Sequence, residues 1–406
     1  VQPCALLGQA LQRAGHDLVL AAPENFAHFV RDHGLRFHPL RGDVQQLMAS
    51  ETGRDFMGGG SANPIRAIRA MRSLIGPVAL QMAEDGLAAC ADADALVSLA
   101  VFAPFGQSIA EIRGIPLINV EPTPLLPTRT FPAPGWPIQH TLGGLHNLLS
   151  GYGMLYAIWQ WYGPFVNRFR QRYRLPAYGA ADFPRILKST LILGAYSPTV
   201  IPRPPDWPLD AHVTGYFFPE AEDDWAPPPA LETFLAAGKP PVSIGFGSMA
   251  GRNPAHLAAL AMEALRRTGQ RGVLLTGWGA IEATTVPDTV LVMDAAPHSW
   301  FFPRMAAVVH HGGAGTTAEG LRAGVPSVIV PFAVDQLFWG KRVQALGLGP
   351  APIPQKQLTA DKLAYAVQRA TTDHEIIERA SAMGRTLRAE QGIENAVRTI
   401  ETYLEG

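Results

Sequence analysis

Charge is scarce in this sequence. Asp, Glu, Lys and Arg make up 17% of its 406 residues, against roughly 25% in an average soluble domain, while apolar residues reach 47%. The formal net charge is −1, so no broad basic face is available and a nucleic-acid partner is not expected. Cysteine is scarcer still: Cys4 and Cys90 are the only two, with no spaced Cys/His ligand set around them. That excludes a disulfide framework and a structural zinc site, and fits a reducing cytoplasm. No basic stretch followed by an apolar run opens the chain, so no signal peptide is expected. Uninterrupted apolar runs of about 20 residues, which a membrane helix needs, are also missing.

What is present is alternation. From Leu11 to Val120 short apolar strands (DLVLAA, RFHPL, ALVSLA, PLINV) alternate with helical patterns, including Glu24–His33, helices between Asn63 and Ala91, and Phe105–Arg113. STLILGAYS and His212–Thr214 close this series. A second series follows: Ala230–Ala237, PPVSIGFG, Pro254–Thr268, GVLLT, TVLVM and the unit around Val308. Such alternation builds βαβ units and parallel sheets covered on both faces. The fold class is therefore α/β, with two Rossmann-like domains. We place the first at residues 1–216, a Pro-rich acidic linker at 217–229, the second domain at 230–385 and a terminal helix at 386–406. In a doubly wound domain a first strand usually precedes the first helix, and here a helical pattern comes at once, so a strand upstream of Val1 is expected.

Between Thr130 and Asn167 there is no Asp, Glu, Lys or Arg at all, yet Trp136, Tyr152, Tyr156, Trp159, Trp161 and Tyr162 crowd into it. The segment reads as a helix packed on the sheet, as the lining of a pocket for an apolar acceptor, or as a surface in peripheral contact with a membrane. One helix can combine these, with different faces doing different things.

The stretch VVHHGGAGTTAEGLRAGVPSVIVPFAVDQLFWGKR, Val308–Arg342, carries the chemistry. A strand passes through glycines into a helix start, where unpaired N–H groups and the positive end of the helix dipole converge to make an anion site. Gly312, Gly313 and Gly315 allow close backbone approach, Thr316 offers a hydroxyl and His311 a hydrogen-bond donor. Such a cradle suits a departing diphosphate and needs no metal or other cofactor.

The second half resembles nucleotide-sugar-dependent glycosyltransferases of the GT-B fold in the UDP-glycosyltransferase superfamily. The nearest branch holds sterol 3-β-glucosyltransferases and antibiotic (macrolide, glycopeptide) or rhamnolipid glycosyltransferases. The residues that carry the resemblance are Gly245–Met249, Thr276–Gly279, Ala296-Pro297-His298, Arg304–Thr317, Gly324-Val325-Pro326, and Pro331 with Asp335-Gln336. The resemblance implies that the two domains face each other across a cleft and that the terminal helix packs back toward the first. It implies that His311 and Thr316 bind the donor phosphates with the backbone of Gly313, Ala314 and Gly315. Gly247 and Ser248 would reach the same phosphates, the backbone near Ala296 and His298 the base, Glu319 the ribose, and Asp335 with Gln336 the sugar hydroxyls. Trp278 either lies beside the donor or packs under its loop. Plant relatives stack a Trp on uracil where Ala295 stands here, so the base contact must differ.

In this family the general base follows the first strand in patterns such as G-x-R-G-D-V-Q-P, of which Val1-Gln2-Pro3 matches the end. The expected Asp, or His in plant relatives, is the residue just before Val1. The expectation is thus an inverting, metal-independent transferase that moves glucose from UDP-glucose to a hydroxyl of a lipophilic acceptor, with Trp136, Tyr152, Tyr156 and Trp159 lining the acceptor pocket. A sugar-nucleotide epimerase of similar architecture and a binding protein lacking the base are the alternatives.

Overall fold

The structure, a computed structural model, describes residues 1–42, 64–219, 225–247, 254–276 and 286–405. In chain order the main elements begin with α1 (Gln2–Arg13), β1 (Val19–Pro23), α2 (Ala27–Asp32), β2 (Arg36–Leu40), α3 (Pro64–Ala89), β3 (Leu96–Leu99) and α4 (Ala103–Arg113). They continue with β4 (Leu117–Glu121), α5 (Gly144–Arg172), α6 (Asp182–Lys188), β5 (Leu191–Gly194), β6 (Ala211–Val213), α7 (Pro229–Ala236) and β7 (Val242–Gly245). Next come α8 (Pro254–Thr268), β8 (Gly272–Leu275), β9 (Val290–Met293), α9 (His298–Phe301), β10 (Ala307–His310), α10 (Ala314–Ala323) and β11 (Ser327–Ile329). The chain finishes with α11 (Gln336–Ala345), α12 (Ala360–Thr372), α13 (His374–Ala389) and α14 (Gly392–Glu405).

Two compact units result, Val1–Phe218 with Gln391–Gly406, and Pro219–Glu390. The return to the first unit comes a few residues later than the sequence suggests, for a packing reason. Leu387 near the end of α13 is buried, and Gly384 of that helix lies against Gly324 within the second unit. Beyond it, Asn395 Nδ2 donates to Thr214 O at 2.9 Å, and Ala396, Val397 and Ile400 of α14 enter the core of the first unit.

In the first unit β3-β4-β5-β6 form a parallel sheet, and β1 pairs with β2 in a second one. Leu6, Leu7 and Leu11 of α1 join α14 in packing against Ile118 and Val120 of β4 and Leu191 and Leu193 of β5. Elsewhere in the unit Ala83 and Leu87 of α3, Ile109 of α4 and Phe169 of α5 form another apolar cluster. The far end of α5 is tied down by the buried Arg170, which pairs with Glu111 at 2.9 Å and lies 3.5 Å from the Tyr178 ring centroid. Among the described residues no helix is long and apolar enough to cross a membrane, α5 included.

The second unit's sheet has the order β11-β10-β7-β8-β9, all parallel. Side chains alternate as a doubly covered sheet requires: Val242, Ile244, Leu274, Ala307 and Val309 pack with α8 and α12. Val273 and Val308 point to the opposite face, onto Leu231, Phe301, Phe302 and Met305. The chain leaves β7 toward β8 on one side and returns through β10 on the other. That reversal makes a topological switch point between β7 and β10, and ligands of such sheets bind outside the carboxyl ends of the strands there.

Candidate functional site

The switch point is where the glycine turn lies. His310 ends β10 opposite Gly245 of β7 and Ile329 of β11, so His311 and Gly247 leave the sheet at the same edge. Gly312 has φ +89°, and a Cβ on it would lie 2.5 Å from Ile329 Cγ2. A Cβ on Gly313 would lie 2.6 Å from His311 Nε2. The first position needs glycine for its backbone, the second for the room it leaves to the imidazole.

Gly313 caps α10, whose first internal bond runs from Thr317 N to Gly313 O at 2.9 Å. The N–H groups of Ala314, Gly315 and Thr316 precede that bond and have no helical carbonyl behind them. No acidic residue occupies this first turn, which leaves the positive end of the helix for a bound anion.

Three histidines surround the turn, and all are held neutral. Burial pushes His311 down to about 4. Burial, with the neighbouring His311, does the same to His298. His310 is fully buried and lowered further, again first by burial. Its Nδ1 accepts the Gly312 N–H at 3.1 Å, so the proton sits on Nε2 and the ring fixes the turn. His298 opens α9 and stacks on Phe302 at 4.2 Å. Among the described residues the buried side-chain atoms His310 Nε2, His311 Nδ1, Thr317 Oγ1 and Ser327 Oγ find no hydrogen-bond partner.

The Asp335-Gln336 pair lies beyond β11, at the same sheet edge. Asp335 Oδ2 accepts the indole N–H of the buried Trp339 at 3.0 Å. Gln336 is 6% exposed, and its Oε1 accepts the backbone N–H groups of Phe332 and Ala333 at 2.7 and 3.1 Å. Its carbonyl oxygen therefore serves the loop, a role the sequence did not suggest. Immediately before the pair Val334, β-branched, sits at φ +54°, a strained conformation of the kind that accumulates at ligand sites.

The remaining assignments divide. Ala296 and Thr316 are half-buried, Gly315 is exposed, and Glu319 follows Thr316 by one turn of α10. Ser248 and Trp278, with Met249, Gly277 and Gly279, lie outside the described residues, as does the acidic stretch 220–224. In the first unit Trp159 is 7% exposed against Tyr162, which leaves it to the core rather than to an open pocket. Tyr152 holds the Lys188 ammonium at 2.7 Å, and Trp136 packs against Gly153. Tyr156 is 56% exposed, on one helical stripe with Leu145 at 62% and Leu149 at 57%. Those leucines were legible as spacing but hidden among the more conspicuous aromatics.

The erythromycin biosynthesis protein CIII-like C-terminal domain family matches residues 277–401. The whole chain is 35% identical over 414 residues to O-mycaminosyltylonolide 6-deoxyallosyltransferase of Streptomyces fradiae and covers 95% of it. The chain is a member of the GT-B glycosyltransferases. This glycosyltransferase is also 34% identical over 411 residues to a sterol 3-beta-glucosyltransferase of Arabidopsis thaliana, of whose length it spans 66%. The solved glycosyltransferase of kitacinnamycin shares its fold, with a TM-score of 0.75 at 21% identity over 99% of this chain and 95% of that one. So does the glycosyltransferase VinC, solved in complex with dTDP, with a TM-score of 0.67 at 18% identity over 100% of this chain and 96% of that one.

Proposed function

We propose that this glycosyltransferase moves glucose from UDP-glucose to a hydroxyl of a lipophilic acceptor such as a sterol or polyketide, with inversion and without a metal ion. The observation that carries the reading is the neutral, largely buried His311 at a glycine turn that opens onto the N-terminus of α10. In the reaction the acceptor oxygen bonds to the anomeric carbon while the bond from that carbon to the diphosphate oxygen breaks. A base takes the hydroxyl proton, and negative charge gathers on the leaving diphosphate. His311 donates to that charge together with the N–H groups of Ala314, Gly315 and Thr316, as preorganised dipoles do in a partly dry site. Asp335 and the amide nitrogen of Gln336 face the sugar, and Glu319 the ribose.

The acceptor class is supported by the charge-free segment, whose Leu145, Leu149 and Tyr156 are exposed while Trp159 is not. It is supported further by relatives named for macrolide-type and sterol acceptors. VinC, solved with dTDP, makes dTDP-glucose the natural second donor to try. The test is to incubate the protein as the cell makes it with either donor and a panel of apolar alcohols. We expect acceptor-dependent release of nucleoside diphosphate and a glucoside of inverted configuration, unchanged by EDTA. No glucoside and no diphosphate release with any pair would contradict the reading. Conversion of the nucleotide sugar without acceptor would mark an epimerase, and binding without turnover a base-less binding protein.

A further inference from the structure

Residues 122–143, between β4 and α5, are held by side chains rather than by regular secondary structure. Asp206 accepts the Thr128 hydroxyl at 2.6 Å and the Arg129 N–H at 2.8 Å. Asn147 Nδ2 donates to Arg129 O at 2.9 Å, and Ser150 Oγ accepts the Ala133 N–H at 2.8 Å. The segment's first anchor is of a different kind. Glu121 closes the buried strand β4 with 1% of its surface exposed, at the carboxyl edge of the sheet. Its Oε2 accepts the Leu125 N–H at 3.0 Å and its Oε1 the Tyr196 hydroxyl at 2.8 Å. Tyr196 stands just past β5, the neighbouring strand, so one carboxyl ties the start of the segment to the adjacent strand end.

We propose that Glu121 is a positioning residue for acceptor recognition, which sets where the 122–143 segment and the start of α5 present their apolar side chains. The inference rests on the reading of that segment as the acceptor side. An acid at the end of a strand buried along its whole length is costly to bury, and both of its oxygens are engaged. Burial pushes the Glu121 carboxyl up to about 7, while the Tyr196 and Leu125 hydrogen bonds pull it back. The ionisable group facing it is Tyr196, itself driven well up by burial and by Glu121, with Tyr216 acting on Tyr196 in turn. The carboxylate form strengthens both bonds because charge-assisted hydrogen bonds are the stronger kind, so the segment tightens as pH rises through about 7. Acceptor KM should fall over that range, and donor KM should not follow it.

The test is hydrogen-exchange mass spectrometry and steady-state kinetics on wild type, E121A, E121Q and Y196F from pH 6 to 8.5. In E121A we expect acceptor KM to rise about tenfold, donor KM to change less than about twofold, and exchange to quicken in 122–130 but not in 307–323. E121Q keeps the shape and one accepting oxygen; it should recover most of the affinity and lose the inflection near pH 7. Y196F should displace that inflection and, if E121A does not fold, carries the test together with E121Q. Unchanged exchange in 122–130 across these variants, or equal rises in both KM values, overturns the proposal. If wild type glycosylates no acceptor, the functional reading fails by itself, and the exchange data still decide whether Glu121 anchors the segment.

Discussion

Gln336 reaches back across one turn of chain to Phe332, whose backbone N–H it accepts at 2.7 Å. With the second bond, from Ala333 at 3.1 Å, this fixes the loop in which Val334 takes φ +54°. A left-handed conformation costs a β-branched residue roughly 1–2 kcal/mol, so the loop stores strain immediately before Asp335. V334G should raise the unfolding free energy by about 1 kcal/mol while raising donor KM several-fold, because the loop gains freedom as it loses strain. Thermal melts and donor titrations on one preparation check both signs. A variant more stable with unchanged donor KM would show the strain to be idle.

Trp339 orients Asp335 through its indole N–H. W339F keeps most of the buried ring but removes that donor, so we expect a destabilisation of about 1–3 kcal/mol and a rise in donor KM larger than any change in acceptor KM. Equal effects on the two KM values would reduce Trp339 to a packing residue.

The neutral histidines make the second unit labile to acid. In the unfolded chain each histidine takes up a proton near pH 6.5, whereas folded His311 and His298 resist until about 4. The unfolded state therefore binds more protons between those values, and stability is complete above about pH 6.5 and falls as pH drops toward 4. The loss at the acid limit is on the order of 3 kcal/mol for each of these two residues, less where they share one repulsion. Melting temperature followed from pH 7 to 4 should decline in wild type and decline less in H298F. A flat profile would show that the histidines are not buried as neutral rings.

Two aromatics on α5 should separate cleanly. Trp159 belongs to the core, so W159A should cost about 3–5 kcal/mol of stability. Tyr156 is exposed, so Y156A should leave the melting temperature within about 1 °C and raise acceptor KM instead. Denaturant unfolding and acceptor kinetics on the pair check this, and a strongly destabilised Y156A would contradict the assignment.

Much of this architecture was legible because period-2 and period-3.6 patterns are local: RFHPL and Pro254–Thr268 coincide with β2 and α8. The glycine turn was legible for the same reason, since strand, glycines and helix start are contiguous. Long-range bonds were not. Nothing in the sequence shows that the side-chain oxygen of Gln336 turns to its own loop, that Trp159 faces inward while Leu145 and Leu149 face out, or that Glu121 meets Tyr196. The acid ending the strand PLINV was the one local sign of that last contact. Val334 carried no sign, because valine at positive φ is imposed by its surroundings.

The central claim is that the turn at His311 holds the diphosphate of a nucleotide sugar, and titration calorimetry of UDP and dTDP into wild type, H311A and G313A tests it most directly. One charge-assisted hydrogen bond lost should weaken binding by roughly 10- to 100-fold in H311A, and G313A should follow as its new Cβ displaces the imidazole, with melting temperatures near wild type. Affinities for both nucleotides that are unchanged in both variants would contradict the account.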